Sequence, residues 1–123
     1  HGDLKSPNIF YKNNKNPCFL DWQYVHLNKG ISDIAFMLVE SIDFNETVVQ
    51  LVLNYYYALC KESKHFEHYT YKTYISEFQQ SLCAFPFFVC VWFNSEDPDM
   101  LLDKGFPMRF MKNLLKYYDY FLL

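Results

Sequence analysis

The sequence has few glycines, no paired cysteine motif and no long apolar run. Three of its 123 residues are glycine, and they lie far apart at positions 2, 30 and 105, so they do not form a glycine-rich phosphate-binding loop. The four cysteines and four histidines are scattered without a C-x-x-C pair, so their spacing does not favour a zinc site. The longest apolar run, residues 82–93, has twelve residues, whereas a membrane span needs about twenty.

A large basic excess is also absent. The net charge is −3 and the pI is about 5.7, so the sequence favours neither nucleic acid nor a membrane as a partner. The residues are 51% hydrophobic and 21% aromatic, which suffices for the core of one small domain. Scattered free thiols suit a reducing compartment and predict a cytoplasmic location.

The beginning of the chain predicts a β-hairpin. Residues 9–11 and 18–20 are short apolar runs, and the polar residues and proline of 12–17 separate them. If Tyr11 pairs with Cys18, Asn8 lies opposite Asp21, with Cα atoms about 4.5–5.5 Å apart. The hairpin would therefore place one amide and one carboxylate together at its open end.

The remaining sequence has helical periodicity. A first helix is expected with Ser32 or Asp33 near its N-terminus, a third after a Thr70 cap, and a last with Pro107 in its first turn. A second helix should begin after an Asn45 cap. Its apolar stripe, which is most simply core, comprises Val48, Leu51, Val52, Tyr55 and Leu59. The predicted fold class is α+β and mainly α, with one short hairpin.

The first eight residues, "HGDLKSPN", have the form H-x-D-x-x-x-x-N. These residue types suit phosphoryl transfer: Asp3 would accept or orient the proton of an attacking hydroxyl. Asn8 and Asp21 would offer the hard oxygen ligands that magnesium prefers. The alternative is a chance pattern, with Asp3 and Asn8 in an ordinary capped turn and Asp21 at a solvated strand end.

"HGDLKSPN", "LDWQ" and "GISDIAFML" resemble the catalytic core of aminoglycoside phosphotransferase and choline kinase-like enzymes. The same segments resemble the ecdysteroid-kinase-like branch, also called CHK kinase-like. The resemblance is strong over residues 1–42 and then fades to a general helical pattern. It implies a protein kinase-like C-terminal lobe in one structural domain. Residues 1–43 would carry the catalytic loop, metal-binding hairpin and following helix, and residues 44–123 a C-terminal helical subdomain.

The resemblance also implies roles for individual residues. Asp3 matches the catalytic aspartate of the H-G-D loop, and Asn8 and Asp21 match the magnesium-binding pair. Asp33 matches a structural aspartate that braces the catalytic loop through its backbone. His1 matches the loop histidine, which packs and hydrogen-bonds and is not a base.

Lys5 follows Asp3 by two residues, as in the D-L-K of protein kinases, where that lysine approaches the transferred phosphate. A solvent-facing lysine is the equally weighted alternative. Gly2 and Trp22 differ from the H-R-D and D-F-G of protein kinases, so the acceptor is expected to be a small molecule. The implied activity is ATP-dependent transfer of the γ-phosphate to a small-molecule hydroxyl, with ATP and Mg²⁺ as cofactors.

The N-terminal lobe that such kinases use for nucleotide binding has no counterpart in this sequence, so we expect a partial chain that is inactive alone. We further expect this chain alone to fold poorly or self-associate, and not to bind ATP at ordinary concentrations. A non-catalytic kinase relic, retained as a helical binding module, is the alternative. The sequence does not distinguish a sugar, choline, aminoglycoside or steroid acceptor. Loose candidates for the acceptor site are Glu40, Asp43, Tyr55, Tyr56 and Trp92.

Overall fold

The computed structural model describes residues 1–94 and 105–123, and for residues 92–94 it describes the backbone alone. Within these residues a hairpin precedes four helices, so the architecture is α+β and mainly α, as predicted. The strands and helices are β1 Ile9–Lys12, β2 Asn16–Phe19, α1 Gly30–Ser41, α2 Glu46–Lys61, α3 Tyr71–Asn94 and α4 Phe106–Phe121. Two short 3₁₀ turns, Ser6–Asn8 and Lys64–Phe66, precede β1 and α3.

The hairpin forms where it was predicted, but its register differs by one residue. Tyr11 pairs with Pro17, and the predicted pairing of Tyr11 with Cys18 is wrong. The reason is a shorter turn, in which Asn13 and Asn14 both adopt a φ of 55°. Asparagine tolerates this left-handed region better than most residues, so two consecutive asparagines permit a tight connection.

The register decides which residues face each other at the open end of the hairpin. The backbone N–H of Leu20 donates to the carbonyl of Asn8 at 2.8 Å. Asn8 therefore lies opposite Leu20, and its predicted opposition to Asp21 is wrong. Asp21 follows one residue further along, after the end of β2.

The core forms where α1 packs against α3 and α4. The buried positions of α1 recur at helical spacing, so one face of the helix enters the core. The fully buried phenols find backbone partners: the hydroxyl of Tyr74 donates to the carbonyl of Leu53 at 3.0 Å, and that of Tyr117 to the carbonyl of Leu38 at 3.2 Å. Burial raises the pKa of both tyrosines, so they stay neutral at physiological pH.

Three predicted helix starts are confirmed. Asn45 accepts from the N–H of Val48 at 3.1 Å, and Thr70 Oγ1 accepts from the N–H of Thr73 at 3.1 Å. Pro107 lies in the first turn of α4. The first helix begins at Gly30, so Ser32 and Asp33 lie near its N-terminus as predicted. Within the described ranges, no helix has the length and hydropathy that a bilayer crossing requires.

The predicted core stripe of α2 is largely wrong. Val49 and Leu53 are buried, while four of the five predicted positions are exposed: Val48, Leu51, Tyr55 and Leu59. Because apolar residues occupy both faces of this helix, periodicity alone could not select the face that its neighbours cover. The run 82–93 likewise buries one face of α3, at Leu82, Phe85 and Val89, and exposes Phe87.

Asn113 on α4 binds three backbone groups of the stretch 39–44. Its Oδ1 accepts from the N–H of Phe44 at 2.9 Å. Its Nδ2 donates to the carbonyls of Val39 and Ile42 at 2.6 and 2.8 Å. These carbonyls lie at the C-terminal end of α1, where a helix leaves such groups without intrahelical partners. The side chain thus fixes the connection from α1 to α2 against α4.

Asn113→Ala is expected to lower the free energy of unfolding by about 2–3 kcal/mol, because it leaves buried backbone groups without partners. Urea denaturation followed by circular dichroism measures this change. Lys112→Ala, at an exposed position of the same helix, is the control and should change stability by less than about 0.5 kcal/mol. Equal stability of the two variants would contradict the role given to Asn113.

Candidate functional site

The loop before the hairpin gathers Asp3, Lys5 and Asn8. A 3₁₀ turn with Pro7 in it, closed by a hydrogen bond from Asn8 N–H to the Lys5 carbonyl at 2.9 Å, folds Asn8 back onto Asp3. Asn8 Nδ2 donates to the Asp3 carbonyl at 2.9 Å and to Asp3 Oδ2 at 3.1 Å. Asp3 and Asn8 are both buried. The H-x-D-x-x-x-x-N spacing therefore produces a fixed carboxylate next to a fixed amide.

Lys5 lies beside this carboxylate. Its Nζ is 2.9 Å from Asp3 Oδ2, and its side chain remains 30% exposed. The ammonium thus neither points away into solvent nor is fully enclosed. It adds positive charge at the edge of the site and compensates the buried carboxylate of Asp3.

Asp33 holds the backbone of this loop. Its Oδ2 accepts from the backbone nitrogen of His1 and its Oδ1 from that of Gly2, each at 2.8 Å. Asp33 lies in the first turn of α1, so a core helix carries the support. The structure thus brings together the residues for which the sequence predicted a bracing contact.

Both imidazole nitrogens of His1 form hydrogen bonds with backbone groups. Nδ1 lies 3.3 Å from the N–H of Asp3, which makes it the acceptor, and Nε2 lies 2.9 Å from the carbonyl of Leu20, to which it donates. The ring also packs against Trp22 at a centroid distance of 4.5 Å. His1 therefore joins the loop to the end of the hairpin, with neither nitrogen free to act as a base.

The backbone conformation and the close surroundings of position 2 account for Gly2, where protein kinases have arginine. Its φ is +87°, which residues with a side chain rarely adopt. A Cβ at this position would lie 2.2 Å from the carbonyl oxygen of Tyr24 and 3.1 Å from His26 Nδ1. The segment after the hairpin thus passes directly over the loop, and any side chain at position 2 would displace it.

Gly2→Ala is therefore expected to lower the free energy of unfolding by at least about 2 kcal/mol, from the positive φ and the backbone clash together. Thermal and urea denaturation measure the loss. Gly105→Ala serves as the control, since the φ of Gly105 is −81°, and should cost less than about 1 kcal/mol. Wild-type stability of Gly2→Ala would contradict the close approach of Tyr24.

Asp21 is exposed and adopts a φ of 62° directly after the hairpin. Its carboxylate receives a long hydrogen bond from Gln23 Nε2 at 3.4 Å, so its oxygens remain accessible. In the part of the chain that the structure describes, no three His, Cys, Asp or Glu side chains gather into a metal site. A cation here would depend on a few protein oxygens and on ligand oxygens.

The residues present nevertheless fit a magnesium ion. Asn8 directs its nitrogen at Asp3, which leaves its Oδ1 available to a cation, and Asp21 would supply a carboxylate. Both are hard oxygen donors, and magnesium typically takes one or two carboxylates together with substrate phosphates and water.

A cavity of about 170 Å³ lies at the C-terminal end of α1. Glu40, Asp43 and Arg109 contribute charged side chains to its wall. The N–H of Ser6 donates to Ser41 Oγ at 2.7 Å, which joins the 3₁₀ turn before the hairpin to this end of α1. Sequence reasoning missed Ser41, because no motif distinguishes it from an ordinary helical serine.

The acceptor candidates from the sequence thus separate into groups. Glu40 and Asp43 share this cavity, whereas Tyr55 is exposed on α2 and Tyr56 lines a different cavity. The side chain of Trp92 lies outside the described residues.

Comparison with known proteins gives one family. Residues 1–81 match the model of the ecdysteroid kinase-like family. No curated protein and no solved structure matches the chain. The family match covers about two thirds of the 123 residues, including the loop, the hairpin, α1 and α2. The chain belongs to the ecdysteroid kinase-like family, a family of kinase-like phosphotransferases.

Proposed function

We propose that this protein transfers the γ-phosphate of ATP to a hydroxyl of a small molecule. The observation that carries the proposal is the buried Asp3 carboxylate, held by Asn8 and Lys5 at 2.9–3.1 Å. A kinase site needs such a fixed carboxylate to orient the acceptor hydroxyl. Membership of a kinase-like family supports the same reaction class.

Asp3 is suited to receive a hydroxyl hydrogen. The side-chain contacts from Asn8 and Lys5 both reach Oδ2, which leaves Oδ1 as the oxygen that accepts from the acceptor hydroxyl. Because its position is fixed before the substrate arrives, Asp3 aligns the nucleophile without reorganisation. Asp3 is thus the catalytic residue in this proposal, and His1 and Asp33 position its loop.

Asn8 Oδ1 and the Asp21 carboxylate would hold magnesium on the nucleotide phosphates. When bound, magnesium neutralises charge on the phosphates during transfer. Lys5 would contact the transferred phosphoryl group, since its ammonium already lies next to Asp3 and its side chain is partly exposed. Its charge would then stabilise the oxygens of that group.

The acceptor is a small molecule that places its reactive hydroxyl near Asp3. The cavity at the end of α1 is the proposed contact for the rest of this molecule, because Ser41 joins it to the catalytic loop. Glu40 and Asp43 would accept hydrogen bonds from further polar groups of the acceptor. At about 170 Å³ the cavity accommodates one group of the substrate rather than a whole steroid or aminoglycoside.

The test uses the full-length protein, incubated with [γ-³²P]ATP, Mg²⁺ and separate pools of sugars, choline-like alcohols, aminoglycosides and steroids. Label should transfer to one pool, and omission of Mg²⁺ should abolish the transfer. Absence of transfer together with absence of ATP binding would overturn the proposal and favour the non-catalytic binding module.

A further inference from the structure

A second and larger cavity, of about 360 Å³, lies between the start of α1, α2 and the beginning of α3. Tyr56, Phe66 and Tyr69 give it three aromatic walls, and Lys29 and Glu77 add one charge of each sign. Small-molecule sites have this composition: an apolar, aromatic enclosure with a few fixed polar groups. Asp3, Asn8 and Asp21 are not among its lining residues, so it is separate from the phosphotransfer site.

The aromatic wall is held in place before any ligand arrives. Lys61 Nζ donates to the carbonyls of Phe66 and Tyr69 at 2.9 and 3.4 Å. The hydroxyl of Tyr57 also donates to the carbonyl of Tyr69, at 3.0 Å. These contacts fix the segment that carries two of the rings. Ligand binding would therefore cost little conformational entropy in this segment.

The opposite wall contains Gly30, and its lack of a side chain leaves room for the Tyr56 hydroxyl beside it. A Cβ there would lie 2.1 Å from Tyr56 Oη. The ring of Tyr56 can therefore approach the first turn of α1 and close the cavity on that side.

The two charged residues differ in how firmly they are held. The side chain of Glu77 is 13% exposed and accepts hydrogen bonds from Lys29 at 2.6 Å and from the hydroxyl of Tyr69. Lys29 is 59% exposed. Burial alone would raise the pKa of Glu77, but the bonds from Lys29 and Tyr69 outweigh it and lower that pKa, so the carboxylate is charged at neutral pH.

We propose that this cavity binds a small aryl amine, whose ammonium replaces that of Lys29 on Glu77 and whose ring packs among Tyr56, Phe66 and Tyr69. The shielded carboxylate of Glu77 is the permanent recognition group. In the free protein, the ammonium of Lys29 occupies the position that the ligand ammonium would take. An ammonium next to several aromatic faces gains attraction from their quadrupoles in addition to the ion pair. Lys29 can leave at small cost, since its side chain is 59% exposed and its ammonium regains water, while the ligand ammonium takes over the Glu77 carboxylate.

Benzylamine is the probe, and isothermal titration calorimetry on the full-length protein measures its affinity. Benzyl alcohol has the same ring without the charge and should bind at least about tenfold more weakly. n-Butylamine has the charge and the reach of a lysine side chain without the ring, and it should also bind more weakly. Equal affinity of either compound with benzylamine would overturn the proposal.

Two variants should act in opposite directions. Glu77→Gln should weaken benzylamine at least about tenfold, because it removes the carboxylate. Lys29→Met should tighten binding roughly two- to fivefold, because it removes the internal competitor. The matched controls are Glu62→Gln and Lys72→Met, both at exposed positions away from the cavity lining, and neither should change the affinity.

Weaker binding of benzylamine to Lys29→Met would show that the lysine recruits the ligand, which would overturn the proposal. Circular dichroism verifies that each variant is folded. If Glu77→Gln does not fold, the Lys29→Met result and the comparison with benzyl alcohol still decide the matter.

Discussion

Replacing Asp3 with asparagine is expected to lower turnover by roughly 10²–10⁴-fold, the usual contribution of a positioned acid or base. Asparagine has the same shape as aspartate, so its oxygen can still accept from Asn8 and Lys5, as Oδ2 of Asp3 does. Its nitrogen then takes the place of Oδ1 and cannot accept the hydrogen of an acceptor hydroxyl. Nucleotide binding should remain nearly unchanged, because none of the proposed phosphate ligands is altered.

Steady-state kinetics of the full-length protein with the identified acceptor provide the measurement, and nucleotide affinity is determined separately. The loss should fall on kcat rather than on the apparent affinity for ATP, which is characteristic of an interaction made in the transition state. Asp119→Asn, at an exposed position of α4, is the matched control and should behave as wild type. Turnover of Asp3→Asn within a factor of about three of wild type would refute the assignment.

The local features of the fold were accessible from the sequence because they depend on neighbouring residues. Asn45 and Thr70 cap helices, and Pro107 opens α4, since each choice is made within one turn of chain. The H-x-D-x-x-x-x-N spacing brings Asn8 onto Asp3 for the same reason, because a single 3₁₀ turn closes it.

Features that depend on distant partners were not accessible. The exposed stripe of α2 shows this, since Val49 and Leu53 are buried only because residues of α1, α3 and α4 complete the core cluster to which they belong. Asn113 binds backbone carbonyls about 70 residues away in sequence, and no pattern in its neighbouring residues predicts that its amide is buried. The close contact between Gly2 and the Tyr24 carbonyl likewise depends on the path of the chain after the hairpin.

The hairpin lies between these cases. Its existence follows from alternating apolar and polar segments, but its register depends on two asparagines that adopt positive φ. A register shift of one residue moves Asp21 out of direct opposition to Asn8. The proposed metal pair therefore depends on the conformation of Asp21 itself rather than on strand pairing.

This dependence makes Asp21 the second position where a large effect is expected. Asp21→Ala should reduce magnesium-dependent turnover by about 100-fold or more, because it removes the only proposed ligand with a negative charge. Alanine at a φ of 62° also strains the backbone, so Asp21→Gly is needed beside it. If the carboxylate is what matters, both variants should lose activity to the same extent although glycine relieves the strain.

Asn8→Ala should behave differently, since Asn8 both offers an oxygen to magnesium and holds Asp3. Turnover should fall, and the magnesium concentration for half-maximal activity should rise. Magnesium titrations of wild type, Asp21→Gly and Asn8→Ala separate the two effects, with Asp119→Ala as the exposed carboxylate control. The Asp21 variants should require a higher magnesium concentration, and the position of Asp3 should be unaltered in them. Asn8→Ala should remain slow even at saturating magnesium, because Asp3 has lost its amide support. An unchanged magnesium requirement in both the Asp21 and Asn8 variants would mean that the metal binds elsewhere.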